Sequence, residues 1–463
     1  MPRLICSLFC LFLLVASPLH GVAKADEVPL TLDRALEIAL ANNPAVLRAA
    51  SNLAATEQNA KAARADRLPK LSTSYSYATL ADSPYANFNG NKMVVASRDQ
   101  FNWDLKLTQP LFTGFALTAK TRLAELGVST SQAEQQLAVL DLTARVRLSY
   151  YEILRKKQLL NVADETVTQL TAHLNDAQNF FDQDLIPLND LLKSKVALSN
   201  ADQIRLQAES DLELAISQLN MLLRLPLEQP TSIVDETPAP EPLPELAPLL
   251  DEALANRPEP RTLQLALDKN DQQLRLAKSS YYPEVDLEGR YFRTGDDPAA
   301  SNNDYANDHN ESLGVKATWT FFEWGRTRAL VNSQIHARDS LAAQLEETRD
   351  NVRLQVRQNW LQLKVAKASI KTAEEAQIQA EENFRLTRLQ YQQALATSSD
   401  VLDARALLSQ AEANTYNSIY GYLSARAQLE RSVGRDFATG NSTTTPDTPA
   451  DLEPPTAPAT PAD

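Results

Sequence analysis

The spacing of hydrophobic and polar positions changes period several times along this chain, and the same succession of changes comes twice. Over 32–67 the apolar and small positions Leu36, Ala39, Leu40 and Asn43 fall at helical spacing, and Pro69 stops the pattern. Leu71, Thr73, Tyr75 and Tyr77 then alternate with Ser72, Ser74 and Ser76, which predicts a strand over about 71–80. A polar loop through 87–91 follows. Phe101, Trp103, Leu105 and Leu107 next alternate with Asn102, Asp104 and Lys106, predicting a strand over about 101–112. The second round predicts a helix over 249–281 and strands over about 284–294 and 312–322, with Val285, Leu287 and Tyr291, then Leu313, Val315, Trp319 and Phe321, on one face. Each strand has the length and alternation that suit a membrane β-strand, and aromatic residues gather near the strand ends.

Residue matches support a repeat. Ala39–Pro44 recurs as Ala253–Pro258 and Pro69 as Pro283, while Gly114 finds Gly325 and Asn189-Asp190 finds Ser399-Asp400. We therefore expect a first repeat at 26–225, a proline-rich extended connector at 226–248, and a second repeat at 249–437. Residues 438–463 read as a disordered proline-rich tail.

Each repeat closes with long proline-free stretches, which predict helical hairpins over 115–225 and 326–437. Leu137, Leu140, Ala144, Leu148 and Tyr151 form one coiled-coil-like stripe, and Val352, Val356, Trp360, Leu363, Ala366 and Ile370 form another. The expected class is mainly α: two repeats of long hairpins with four β-strands per chain. Four strands cannot close a membrane barrel, so several chains must share one.

Composition narrows the chemistry. Only 11 glycines occur in 463 residues, and no glycine-rich phosphate loop is among them. A formal net charge of −14 argues against nucleic-acid binding. Residues 1–25 carry Arg3, an apolar run and an Ala-Lys-Ala ending, the pattern of a removed signal peptide that holds both cysteines. His173, His309 and His336 are far apart in sequence and read as lone surface residues. No nucleophile–base pair, metal-ligand set or cofactor motif can be assembled, so the chain is expected to be a non-enzyme with no cofactor and no metal.

One constellation stands out. Ser398-Ser399-Asp400-Val401-Leu402-Asp403 opens the last helix, and Asn189-Asp190 opens its counterpart. Helix capping by Ser or Asn accounts for one Asp. Asp400 and Asp403, at i and i+3, share a face that would form an acidic ring around a symmetry axis, which capping alone does not explain.

These residues carry a family resemblance. Ala39–Pro44, Leu68-Pro69-Lys70-Leu71, the run 109–114 with Pro110 and Gly114, and above all Tyr391 through Asp400-Val401-Leu402-Asp403 resemble the TolC-type outer-membrane efflux proteins over about 30–437. The resemblance implies a homotrimer whose chains share a twelve-stranded barrel in outer-membrane lipid, continued by a periplasmic helical tunnel. It implies an exit duct joined through a periplasmic adaptor (membrane fusion protein) to an inner-membrane pump of RND, ABC or MFS type, or to a type I secretion system. Asp400 and Asp403 match aspartates at the tunnel entrance, Tyr391 a tyrosine of the closing network, and Asp190, beside Asn189, an acidic position on the other hairpin. Pro110, Gly114 and Gly325 match the junction of strand and helix. The chain departs from the pattern at Asp184 and Ala394, where the family often has glycine, and at Ala396, where a basic residue is expected. The alternative reading is a soluble periplasmic coiled-coil scaffold or adaptor.

Overall fold

A computed structural model describes residues 29–235 and 237–435. The expected signal peptide (1–25) and tail (438–463) lie outside these residues. In chain order the elements are α1 (Leu32–Asn42), α2 (Pro44–Ala65), β1 (Lys70–Thr79), β2 (Tyr85–Phe88), β3 (Asn91–Val94), β4 (Asp99–Thr113), α3 (Ala116–Asp182) and α4 (Leu188–Leu223). There follow α5 (Leu246–Asn256), α6 (Pro258–Ser279), β5 (Glu284–Gly295), β6 (His309–Thr318), α7 (Arg326–Gln392) and α8 (Ser398–Val433).

The single helix expected over 32–67 is two, broken at Asn43. Pro44 lacks an N–H and disfavours helical backbone in the residue before it, so it opens α2 instead of continuing α1. Asn43 adopts extended backbone, and its Oδ1 accepts from the Ala45 amide at 3.0 Å. Pro258 divides α5 from α6 in the same way. The long arms are continuous: α3 and α7 have 67 residues each, roughly 100 Å at 1.5 Å per residue. α2 lies along the sheet-proximal part of α3, tied by Arg64 to Glu125, and α4 runs along the rest, tied by Lys156 to Asp211 at 2.6 Å.

Four strands form one antiparallel sheet in the order β1-β4-β5-β6. Its register puts Leu71, Leu107, Gly289 and Leu313 in one cross-strand row, and Ser72, Lys106, Arg290 and Ser312 in the next. One face is therefore apolar and aromatic, and the other polar and ionic, with Lys106 bonded to Glu288 and Arg290 to Asp104. Both outer strands, β1 and β6, are exposed along their whole length and present unpaired edges. The loop through 87–91 is itself a small hairpin, β2–β3, turned by Asn89 and Gly90 at positive φ. β6 starts and stops earlier than expected, so Trp319 and Phe321 lie past its end. There the chain turns into α7 through Trp324 and Gly325, both at positive φ.

The core is centred midway along the long helices, where α1 and α5 pack against α3, α7 and α8. Ala35, Ala39, Val146, Tyr150, Leu219, Leu249, Ala253, Val356, Leu429 and Val433 are all buried there. On α7 the expected stripe is largely this core. On α3 it is not: Leu142, Val146, Tyr150 and Ile153 are buried, whereas Leu137, Leu140, Ala144, Leu148 and Tyr151 are half-buried on an adjacent face. The connector is extended but anchored. Ile233 pairs with Leu30 in a parallel bridge, the Tyr150 hydroxyl donates to the Val234 carbonyl at 2.6 Å, and the Trp360 indole donates to the Pro244 carbonyl at 2.8 Å. No helix among the described residues is long and apolar enough to cross a membrane.

Candidate gate at the hairpin tips

Both hairpins turn by the same backbone device. α3 ends with Asp184 at φ 60° and a hydrogen bond from the Leu185 amide to the Phe180 carbonyl of 2.9 Å; α7 ends with Ala394 at φ 58° and a bond from Leu395 to Gln390 of 2.8 Å. These bonds satisfy carbonyls that the helix end would leave open. Two residues other than glycine, Asp184 and Ala394, are thus held in the same left-handed conformation, at a cost of roughly 1–2 kcal/mol each, least for the Asp.

The returning helices start differently. The cap of α8 is Thr397, one residue before the serines expected from sequence. The Asp400 carboxylate accepts from the Thr397 amide and hydroxyl, both at 2.7 Å, while the Asp400 amide donates to Thr397 Oγ1 at 3.3 Å. Those hydrogen bonds hold the Asp400 carboxyl below the usual carboxylate range. α4 is preceded by Pro187, which has no side chain to cap it. Asp190 occupies the same third helical position as Asp400, but faces Lys193 at 3.4 Å. Lys193 also donates to Ser399 Oγ at 3.0 Å, so it ties one hairpin to the other.

The five expected gate residues separate into two groups. Asp403 is exposed and lines a shallow depression with Asn189, Leu192, Lys193 and Ser399, so α4 and α8 do converge there. Tyr391 is elsewhere: it is 2% exposed, with its ring 4.8 Å from His173 and 5.4 Å from Phe180. Burial, with the carboxylates of Asp176 and Asp190 adding to it, pushes its hydroxyl above its ordinary value. His173 is not a surface residue as expected but 5% exposed, because α4, α7 and α8 close over α3 at this level. Its Nε2 lies 2.8 Å from Ser398 Oγ, which is itself 2.8 Å from Ser194 Oγ. Sequence reading missed Lys193, His173 and Ser194, and took Ser398 for a cap instead of a buried link. Of these only Lys193, three residues after Asp190, carried a local signal.

At the other end of the arms, Pro110 sits at a shift of register between β4 and β5. Gly114, at φ 58°, lies so close to α6 that a Cβ there would meet the Ser279 carbonyl oxygen at 2.5 Å. Gly325, at φ 80°, has open space around it. Phe112, Phe115 and Tyr282 pack edge to face around the first junction, and Phe322 against Trp324 at the second.

Comparison with known proteins agrees with this architecture. The chain is similar to the alkaline protease secretion protein AprF of Pseudomonas aeruginosa, 24% identical over 445 residues covering 94% of this chain and 89% of AprF. It is 22% identical to the outer membrane protein TolC of Escherichia coli over 434 residues, covering 91% of this chain and 85% of TolC. Its fold matches the CmeC outer membrane channel of Campylobacter jejuni with a TM-score of 0.75 at 15% identity, covering 87% of this chain and 85% of that one. The open-state MtrE channel of Neisseria gonorrhoeae matches at 0.72 and 18% identity, over 87% and 89% of the two chains. The sequence model of the outer membrane efflux protein family matches residues 35–223 and 249–435, one segment for each repeat, and the chain belongs to that family.

Proposed function

We propose that this outer-membrane channel is a passive exit duct whose gate is the ring of hairpin tips. Membership of the family makes the chain a channel protein of the outer membrane and not an enzyme, and sets aside the soluble-scaffold alternative. Three copies complete a twelve-stranded barrel, the exposed edges β1 and β6 being the strands that pair between neighbours. The apolar face then meets lipid and the row through Lys106 and Arg290 faces the lumen.

The single observation that carries the gate is the convergence of Asp403, Asn189 and Lys193 on one exposed depression where α4 and α8 begin. Repeated by the threefold axis, Asp400 and Asp403 bring carboxylates together at the entrance, which favours bound cations over free passage. Pro110, Gly114 and Gly325 mark the junctions where the arms leave a fixed barrel, Gly114 being pressed on α6 there. A periplasmic adaptor docked on the tips would hold them apart and connect the duct to an inner-membrane pump of RND, ABC or MFS type, for efflux or type I secretion. The family relationship and the likeness to AprF, whose name concerns protease secretion, support both uses.

The test is single-channel conductance in a planar bilayer with a divalent cation added on the tip side. Wild type should show discrete openings that the cation blocks. The double variant Asp400→Asn, Asp403→Asn keeps the capping acceptor but loses the charge, and should weaken the block at least tenfold. Unchanged block in that variant would remove the acidic ring from the mechanism.

A further inference from the structure

Ser398 joins the two hairpins from inside the tip. It is 1% exposed, as is Ser194 on α4, and its Oγ joins Ser194 to His173 on α3, with Tyr391 of α7 covering the imidazole. The first position of α8 is therefore held directly against α4 and α3, and against α7 through the titratable ring of His173. We propose that His173 is a proton-operated latch: uncharged, its ring can stay enclosed while the four helices close on Ser398, and charged, it favours the opened, hydrated tip and so loosens the hairpins.

The surroundings fit a group that is kept neutral. On its own helix His173 meets the Asp176 carboxylate. α7 contributes Tyr391 and the Arg388 guanidinium, α4 contributes Ser194 with Asp190 and Lys193 nearer the tip, and α8 contributes Ser398 and Ser399. Burial is the main influence and pushes the imidazole below its ordinary value; Asp176 opposes it and Arg388 adds to it. A ring whose charged form is disfavoured in the closed tip, and free in the open one, couples opening to proton uptake. The closed state is fully favoured above the ordinary histidine value of about 6.5 and loses ground as pH falls below it. Aspartates and glutamates of ordinary affinity remain ionised through this window. Glu412, whose carboxyl burial pushes up, lies several turns further along α8 beside Arg405. Such a latch would ready the channel in acid surroundings.

This inference rests on the tips being the gate, but its test does not require conduction. Hydrogen exchange is followed at the amides opening α4 and α8 in the full-length trimer, between pH 7.5 and 5.5, corrected for the intrinsic rate. Wild type should show a rise in opening that approaches a limit of about tenfold, set by the ordinary histidine value. His173→Gln keeps a hydrogen-bonding side chain without titrating, and should flatten the profile. Two variants leave His173 in place and are read by the NMR titration of its own imidazole in the trimer: Asp176→Asn should move that midpoint to lower pH, and Arg388→Gln to higher. A wild-type rise that survives in His173→Gln overturns the latch, as does an unmoved midpoint in both other variants. Should His173→Gln fail to assemble, the opposed shifts of the remaining pair carry the test. Absence of conductance in wild type would instead strike the duct reading.

Discussion

The two repeats solve the same geometric problems with different side chains. Each turns a long helix back with one residue in the left-handed region, Asp184 or Ala394, and each places an aspartate third in the returning helix. In the second repeat the aspartate is used locally, locked to Thr397 in a reciprocal cap. In the first, Pro187 offers no cap, and Asp190 is left for Lys193, which reaches across to the other hairpin. The strand-to-helix junctions differ likewise: Gly114 is pressed on α6, while Gly325 stands in open space. Equivalent backbone thus need not mean equivalent function. At these matched positions the second repeat's aspartate stabilises its own helix, whereas in the first the lysine beside the aspartate ties hairpin to hairpin and the glycine presses its junction on α6.

The largest effect should come from the ring that covers His173. The position in the first repeat corresponding to Tyr391 holds Phe181, which is only half-buried. Tyr391→Ala removes a ring packed on His173 and Phe180, and should cost about 3–5 kcal/mol of local stability. Phe181→Ala should cost distinctly less. Exchange of amides near the tip in the two variants gives the measurement; equal losses would mean that the asymmetry does not exist.

The junction glycines come next. Gly114→Ala combines a left-handed backbone with a Cβ driven into the Ser279 carbonyl, and α3 or α6 must move to admit it. A loss of roughly 3 kcal/mol or more is expected from strain and overpacking together. Gly325→Ala meets no neighbour and should cost only the conformational strain, about 1 kcal/mol. Thermal unfolding of the two trimers compares them directly.

How much of this could be read from the sequence depends on how local the cause is. Strand alternation and the hairpin arms depend on spacing within one segment, and the repeat on residue matches along the chain, so they were legible there. The break at Asn43 was not, although Pro44 was visible, because small and apolar positions keep helical spacing on both sides of it. The α3 stripe was misplaced because that helix has two apolar faces, and only packing decides which one meets the core. Thr397, Ser398 and Ser399 are all good capping residues, and the choice among them belongs to the turn. His173 was misread for the broadest reason: its burial depends on residues near 194, 391 and 398, on three other helices.

Capping offers a third comparison. Thr397→Ala should weaken the start of α8 by about 1 kcal/mol, whereas Pro187→Ser gives α4 a cap it lacks and should strengthen that helix by up to about the same amount. The Asp400 half of the cap also has a pH signature. Its carboxyl is held low by Thr397, so its contribution is complete above the ordinary aspartate value of about 3.9 and disappears as pH falls through the lower, folded value. Amide exchange in the first turn of α8 should therefore rise on acidification in that range, and Asp400→Asn should remove the pH dependence.

The smallest effect on stability belongs to the residue that most clearly separates the repeats. Lys193 is half-exposed, its contact with Asp190 is long at 3.4 Å, and it bonds a neutral hydroxyl, Ser399, at 3.0 Å. Exposed pairs of this kind contribute about 0–1 kcal/mol, so Lys193→Ala should scarcely change thermal unfolding. Its influence on opening should be larger than its influence on folding, because it joins two elements that must part at the tips while each remains a helix. Loss of the tie leaves Asp190 without its lysine and removes the cation from the depression that Asp403 lines, and should raise both the frequency of channel opening and the sensitivity to divalent block. Thr397→Ala provides the contrast, since it weakens α8 itself without cutting a bond between hairpins. If Lys193→Ala and Thr397→Ala change opening equally, the division of labour between the two repeats is wrong.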